Sequence, residues 1–113
     1  MRYEGGFWEW EDEGYEAHIT EAIHREDANE YELVFDFVEE GDPWHGTLKS
    51  RHGVWYEGQI WMTADPSDKL QVKDMLACWS KDGDLVLLGH YLQDGTKQKW
   101  CIRLEPRGTP RKR

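Results

Sequence analysis

The chain has 113 residues, of which 33% are charged and 38% hydrophobic, and its formal net charge at pH 7 is −9. This length fits one domain and leaves no room for two ordinary ones. No segment reaches the apolar length that a membrane helix needs, and the acidic charge repels phosphates, so we expect neither a membrane nor a nucleic acid as partner.

Apolar and polar residues alternate with a period of two along most of the chain, which is typical of half-buried strands. The clearest case is segment 31–38, and the Asp94-Gly95 pair is the strongest hairpin signal. The alternation is disturbed near Asp74, where a bulge would let both Val72 and Met75 face the core. The pattern predicts eight strands, near residues 7–10, 15–20, 31–38, 44–49, 54–63, 70–80, 85–93 and 99–105.

The only segment where a helix competes with a strand is 16–25, since several of its residues are tolerated in helices. Turn signals come every 10 to 15 residues along the chain, so there is no room for the long crossover that parallel strands need. Successive hairpins favour a meander, and a meander removes its exposed edges by closing on itself. We therefore predict an all-β fold: a single closed antiparallel up-and-down barrel of about eight strands, spanning residues 1–106.

Charge is spread unevenly along the chain. Residues 1–45 carry 15 acidic and 2 basic side chains (−13), and residues 46–113 carry 8 acidic and 12 basic ones (+4), which together give −9. The acidic half suggests a basic protein as partner. The last seven residues, 107–113, include four basic side chains, and such a terminal run is typical of a disordered, solubilising tail.

The first and last predicted strands carry a resemblance to a known group. Gly6-Phe7-Trp8 matches the G-x-W element that opens the first strand of calycins, the superfamily of lipocalins, fatty-acid-binding proteins and avidin-like proteins. Arg103 stands where many calycins have an arginine that packs over that tryptophan. The resemblance implies a calycin-like barrel in which Trp8 and Arg103 form a structural clasp. It does not extend to a biotin site.

Seven tryptophans are the outstanding feature of the composition. They either fill the barrel or line a cavity for a small ligand, because an eight-stranded barrel can do both. On segment 54–63, Trp55 and Trp61 would share a face with Glu57 and Gln59, and Tyr56 would face the other way. We expect Trp44 and Trp100 to pack in the core. The candidate ligand-binding residues are Trp10, Trp55, Tyr56, Trp61, Trp79 and His90.

The remaining reactive side chains carry no catalytic or metal signature. His18 and His24 are expected on the polar face of the second strand, whereas His90 lies in an apolar strand and could contact a ligand. No histidine pair has the spacing of a metal site, and we predict no cofactor. Cys78 and Cys101 fall on strands separated by a third, roughly 10 Å apart, which is too far for a disulfide. Free thiols and the lack of a visible secretory signal suggest a cytoplasmic protein.

These observations favour a non-enzymatic small-molecule-binding β-barrel with an aromatic-lined interior, whose ligand would be small and apolar or aromatic. The alternative is a protein-interaction or inhibitor module that uses the acidic N-terminal half against a basic partner. Single-stranded nucleic-acid binding by stacked aromatics is the weakest of the three hypotheses, because of the acidic charge. An enzyme is a minority hypothesis, since no nucleophile has an evident partner base.

Overall fold

The computed structural model of the chain describes residues 2–9, 16–27 and 29–106. Its strands pair antiparallel in chain order, and the last strand also pairs with the first, so the sheet closes into a barrel. The predicted fold class is therefore confirmed. The strands are β1 (Arg2–Glu9), β2 (Glu16–Asp27), β3 (Glu30–Glu39), β4 (Asp42–Ser50), β5 (Trp55–Met62), β6 (Leu70–Trp79), β7 (Leu85–Gln93) and β8 (Thr96–Pro106).

Two of the hairpin turns, at Glu40-Gly41 and at Asp94-Gly95, have the backbone that the sequence predicts, and in the first the φ values are 49° and 83°. Asp94 and Gly95 both have positive φ, at 51° and 77°, and they join Gln93 to Thr96 directly. A turn with two positive φ values matches the twist of the flanking strands, and Asp-Gly is a preferred sequence for it. These turns hold neighbouring strands in one register, which decides what faces the interior.

The described side chains that point into the barrel form one hydrophobic cluster. Trp100 lies at 0% exposure, its Nε1 donates a hydrogen bond to Met75 Sδ at 3.1 Å, and its ring meets Tyr91 edge-on. Trp44 is half-buried, packs against this cluster and stacks on Phe37, so the expected core role of both tryptophans is confirmed. The buried members are Tyr3, Ala17, Ile19, Ala22, Leu33, Phe35, Phe37, Leu48, Tyr56, Ile60, Val72, Met75, Leu85, Leu87, Tyr91, Trp100, Ile102 and Leu104.

The predicted bulge in β6 is present. Asp74 has a φ of 54°, the pairing with β7 shifts between Lys73 and Leu76, and Val72 and Met75 are both buried. The extra residue lets two side chains of opposite parity reach the core. The strand at the competing segment is also confirmed, because 16–27 is one continuous strand.

A second bulge, in β2, makes one expectation wrong. The pairing of β2 with β3 shifts between Ile19 and Glu21, so residues beyond the shift change face. His18 stays exposed as expected. His24, expected on the polar face, points into the barrel and is only 4% exposed.

One further expectation is confirmed: Cys78 and Cys101 are free. Among the described residues, no helix is long and apolar enough to span a membrane. The tail 107–113 and the first hairpin, with Trp10, lie outside the described residues.

Candidate binding site at one end of the barrel

Exposed apolar surface is concentrated at the end of the barrel that carries the β4–β5 loop. In the described part of the chain, the large hydrophobic side chains classed as exposed are Val54 at 44%, Trp55 at 58% and Trp79 at 43%. Val54 O accepts a hydrogen bond from Ala77 N at 2.7 Å, which ties the start of β5 to the end of β6. We call these three residues the aromatic rim.

A buried polar pair lies directly below the aromatic rim. His24 Nε2 and the Tyr56 hydroxyl are 2.8 Å apart, and both side chains are buried. The Trp79 ring meets the His24 ring edge-on at 5.1 Å, and the Tyr31 ring lies 6.1 Å from it. His24, Tyr31 and Tyr56, which we call the polar plug, therefore connect the exposed Trp79 to the core.

The β4–β5 loop is held over the polar plug by a serine. Ser50 Oγ accepts hydrogen bonds from the backbone N–H groups of His52, at 3.3 Å, and Gly53, at 2.9 Å. Gly53 has a φ of 74° and lies against the Tyr31 ring, where an added Cβ would come within 3.3 Å. The loop is thus built with a defined shape, which a preformed binding site needs.

A groove of about 450 Å³ opens beside the aromatic rim. Ser50 and Tyr56 are its buried members, Trp55 is its aromatic wall, and the others are charged or polar. Arg51 makes no ion pair with any described residue, whereas Lys49 lies 3.8 Å from Glu30. The full lining is Glu30, Lys49, Ser50, Arg51, His52, Trp55, Tyr56, Glu57 and Asp74.

Burial keeps His24 and Tyr56 uncharged near neutral pH. Burial lowers the pKa of His24 from its usual 6.5, and the nearby Glu26 only partly offsets this. Burial, reinforced by Glu26, raises the pKa of Tyr56 to about 12. At pH 7 the pair is therefore a neutral imidazole and a neutral phenol, joined by one hydrogen bond.

The structure brings three of the predicted site residues together and separates the others. Trp55, Tyr56 and Trp79 meet at this end, with Tyr56 facing inward and Trp55 outward, as the alternation predicts. Trp61 lies on the outer face of β5, where the His45 ring is 4.9 Å from it and Lys69 Nζ is 5.1 Å from its centroid. Trp61 is thus already packed by neighbours, although it borders a second groove of about 580 Å³.

His90 and the predicted clasp lie elsewhere. His90 pairs with Lys73 on one side and Lys99 on the other, which places it on the outer face. Arg103 is exposed on β8, and the backbone of Trp8 pairs with Cys101. The Trp8 side chain, like Trp10, is outside the described residues, so the clasp stays a prediction.

Sequence reasoning missed His24 and Tyr31 as members of this site. Both have the right residue type, but the β2 bulge that turns His24 inward has no turn residue to mark it. The His45 contact with Asp36 on the outer face was also missed, because it joins two strands whose register was unknown. Cross-strand contacts of this kind depend on register, which alternation alone does not give.

No protein-family model and no curated protein sequence matches this chain. In the ranges that the structure describes, no three His, Cys, Asp or Glu side chains are grouped so that they could hold a metal ion.

Proposed function

We propose that this protein is a non-enzymatic binding barrel that takes a small apolar or aromatic ligand at the aromatic rim. The observation that supports this most is that Val54, Trp55 and Trp79, the exposed large apolar side chains of the described chain, share one end of the barrel. Clustered exposed apolar surface in monomeric proteins commonly marks a binding site.

The groove next to the aromatic rim is of the right size for a small ligand. Its volume of about 450 Å³ falls within the roughly 300–1,000 Å³ typical of small-molecule sites. Trp55 offers a flat apolar surface, and the exposed Arg51 offers hydrogen-bond donors beside it. One flat wall with a few polar groups is suited to a planar ligand that carries an acceptor.

The proposed ligand lies at the mouth and not in the middle of the barrel. Phe35, Leu87 and Trp100 are buried in one packed cluster that occupies the interior. Native interiors are close-packed, and a ligand of drug-like size would have to displace several of these side chains. The interior that we expected to hold the ligand therefore serves, in this proposal, as the rigid support of the site.

The test is a tryptophan-fluorescence titration against a library of small aromatic and apolar compounds. Trp55→Phe is compared with Trp61→Phe, a matched control because both tryptophans lie on the outer face of β5. We expect wild type and Trp61→Phe to respond to the same compounds with similar affinity, and Trp55→Phe to lose most of the signal. A response that survives in Trp55→Phe and Trp79→Phe alike would place the ligand elsewhere. Silence with every compound class would refute small-ligand binding.

The alternative, an acidic half that binds a basic protein, has less support from the geometry. Glu32, on β3, already faces Arg25 at 3.7 Å and Lys49 at 3.9 Å. Such exposed pairs contribute only about 0–1 kcal/mol each, but they partly neutralise the surface that a basic partner would use. Capture of a basic protein that is lost in the Glu32→Gln variant and retained in the Trp55→Phe variant would favour this alternative.

Two further elements belong to the same proposal. The closed eight-stranded up-and-down meander supports a calycin-like classification, although strand count and order alone are shared by several barrel groups. The two free cysteines support a reducing, cytoplasmic compartment. A structure-based superposition on calycins and fractionation of the native protein would test these two points.

A further inference from the structure

The walls of the barrel differ sharply in charge. Strands β2 and β3 carry eight acidic residues and one basic residue, Arg25. Strands β6 to β8 carry four basic residues (Lys73, Lys97, Lys99, Arg103) and two acidic ones (Asp74, Glu105). Because the strands follow one another around a closed ring, β6 and β7 lie opposite β2 and β3. The protein therefore has one acidic wall and one basic wall, despite its net negative charge.

The basic wall contains a cross-strand row of two lysines with a histidine between them. Lys73 of β6 is the direct partner of His90 of β7, and His90 is the direct partner of Lys99 of β8. Both lysines are exposed, and Lys97 lies two residues before Lys99 on the same face. The three lysines concentrate positive charge on one side of the barrel, and such a local field attracts an anionic partner.

Apolar side chains lie immediately beside this row. Leu76 pairs with Leu88 on the outer face, and both are half-buried. A groove of about 350 Å³ on the same surface is lined by Leu88, Gly89, His90, Lys97 and Lys99. We call this surface (Lys73, Leu88, His90, Lys97 and Lys99) the basic face. An apolar patch with a charged rim is the usual composition of a protein-interaction surface.

We propose that the basic face binds an acidic polypeptide segment that also carries apolar side chains. The carboxylates would lie over Lys73, Lys97 and Lys99, and an apolar side chain would enter the groove at Leu88. This site is separate from the aromatic rim and does not depend on the proposed small ligand. The acidic composition predicts a basic partner, whereas the basic face would bind an acidic one.

The charge pattern favours a peptide over other anionic partners. A nucleic acid presents a long, dense line of phosphates that would extend past the basic face and meet a protein of net charge −9. A second copy would use its acidic wall, which is on the opposite side, so the copies would add head to tail in an open chain against their mutual repulsion. A short peptide matches only the local positive surface.

The probe is a short fluorescein-labelled peptide in which Glu and Leu alternate. Its binding to the full chain is measured by fluorescence anisotropy. We expect saturable binding that weakens when ionic strength rises from about 0.05 M to about 0.5 M, because the charges are exposed. The same peptide with Lys for Glu is expected not to bind. The peptide with Ser for Leu is expected to bind more weakly, since it cannot fill the groove.

The variants compare two exposed lysines with the same change of charge. Lys73→Glu lies in the row, and Lys81→Glu lies in the β6–β7 turn outside it. We expect about a tenfold or greater loss of affinity for Lys73→Glu and no change for Lys81→Glu, with circular dichroism showing that both remain folded. Leu88→Ser is expected to remove the preference for the Leu-containing peptide.

Several results would overturn the inference. One is equal binding by the Lys73→Glu and Lys81→Glu variants. Another is the absence of saturable binding to the Glu–Leu peptide at low ionic strength. Tighter binding of a single-stranded oligonucleotide than of the peptide, or salt-sensitive self-association in sedimentation with no peptide binding, would assign the basic face to a different partner.

Discussion

Two tryptophans, Trp100 and Trp55, show how differently the same residue type is used in this barrel. Trp100 is fully buried, donates a hydrogen bond to Met75 and contacts Tyr91. Trp55 is 58% exposed at the aromatic rim. The difference arises because Trp100 faces inward from β8, whereas Trp55 faces outward from the first position of β5. A high tryptophan content is therefore not evidence for a cavity until each residue has been assigned to a face.

The largest expected effect comes from truncating the buried tryptophan. Trp100→Ala leaves a cavity in the packed cluster, so we expect the free energy of unfolding to fall by about 3–5 kcal/mol. Urea denaturation followed by circular dichroism measures this. Trp100→Phe is a milder variant that should lose less in the same direction. A loss of under about 1 kcal/mol for Trp100→Ala would mean that the interior is not packed around this side chain.

A smaller effect is expected from adding a single carbon to the interior. A Cβ on Gly46 would come within 2.3 Å of the Phe35 ring, so the ring must move. Overpacking of this kind costs about 1–3 kcal/mol. The neighbouring Thr47→Ala, whose side chain lies on the outer face, serves as control and should change stability little. Similar stability of Gly46→Ala and wild type in thermal unfolding would indicate space in the barrel.

His24 in the polar plug should make the free energy of unfolding depend on pH. His24 has a lowered pKa in the folded state, so below its usual 6.5 the unfolded chain binds the proton first. The stability that neutral His24 gives is therefore complete above that pH and is lost as pH falls toward the lowered value. The difference between wild type and His24→Asn in urea titrations from pH 8 to pH 5.5 isolates this residue. If wild type instead became more stable relative to His24→Asn as pH falls, the result would contradict this prediction.

The smallest effect on stability is expected at the aromatic rim itself. Trp55→Ala removes an exposed side chain, and such substitutions usually change stability by no more than about 0.5 kcal/mol. The same variant should nevertheless lose ligand binding. A large destabilisation, measured by the same urea titration, would show that Trp55 is a structural residue and would remove its role in the site.

Much of the fold could be predicted from the sequence because alternation and turn chemistry are local. The eight strands, the Asp94-Gly95 turn and the bulge at Asp74 all follow from residues next to one another in the chain. The bulge at Asp74 was visible because Val72 and Met75 are both large and apolar. The bulge between Ile19 and Glu21 was not, since small and polar residues around it fit either register, and His24 was therefore assigned to the wrong face.

The sites depend on contacts between strands and were less predictable. Trp55 and Trp79 could each be proposed as ligand-binding residues from the sequence. Their common position at one end of the barrel, however, follows from how β5 and β6 pair. The row of Lys73, His90 and Lys99 requires the register of three strands. A single shift of one residue would send these side chains to the other face.

The central claim is that the barrel interior is support and that a ligand binds at the aromatic rim. Two-dimensional ¹H–¹⁵N NMR with a compound that passes the fluorescence screen tests it most directly. If the ligand binds at the rim, the shifted amides will lie in residues 50–56 and 77–80, with the indole N–H signals of Trp55 and Trp79 moving and that of Trp100 unchanged. Movement of the Trp100 indole with the amides of β3 and β7, while the rim signals stay in place, would contradict the claim.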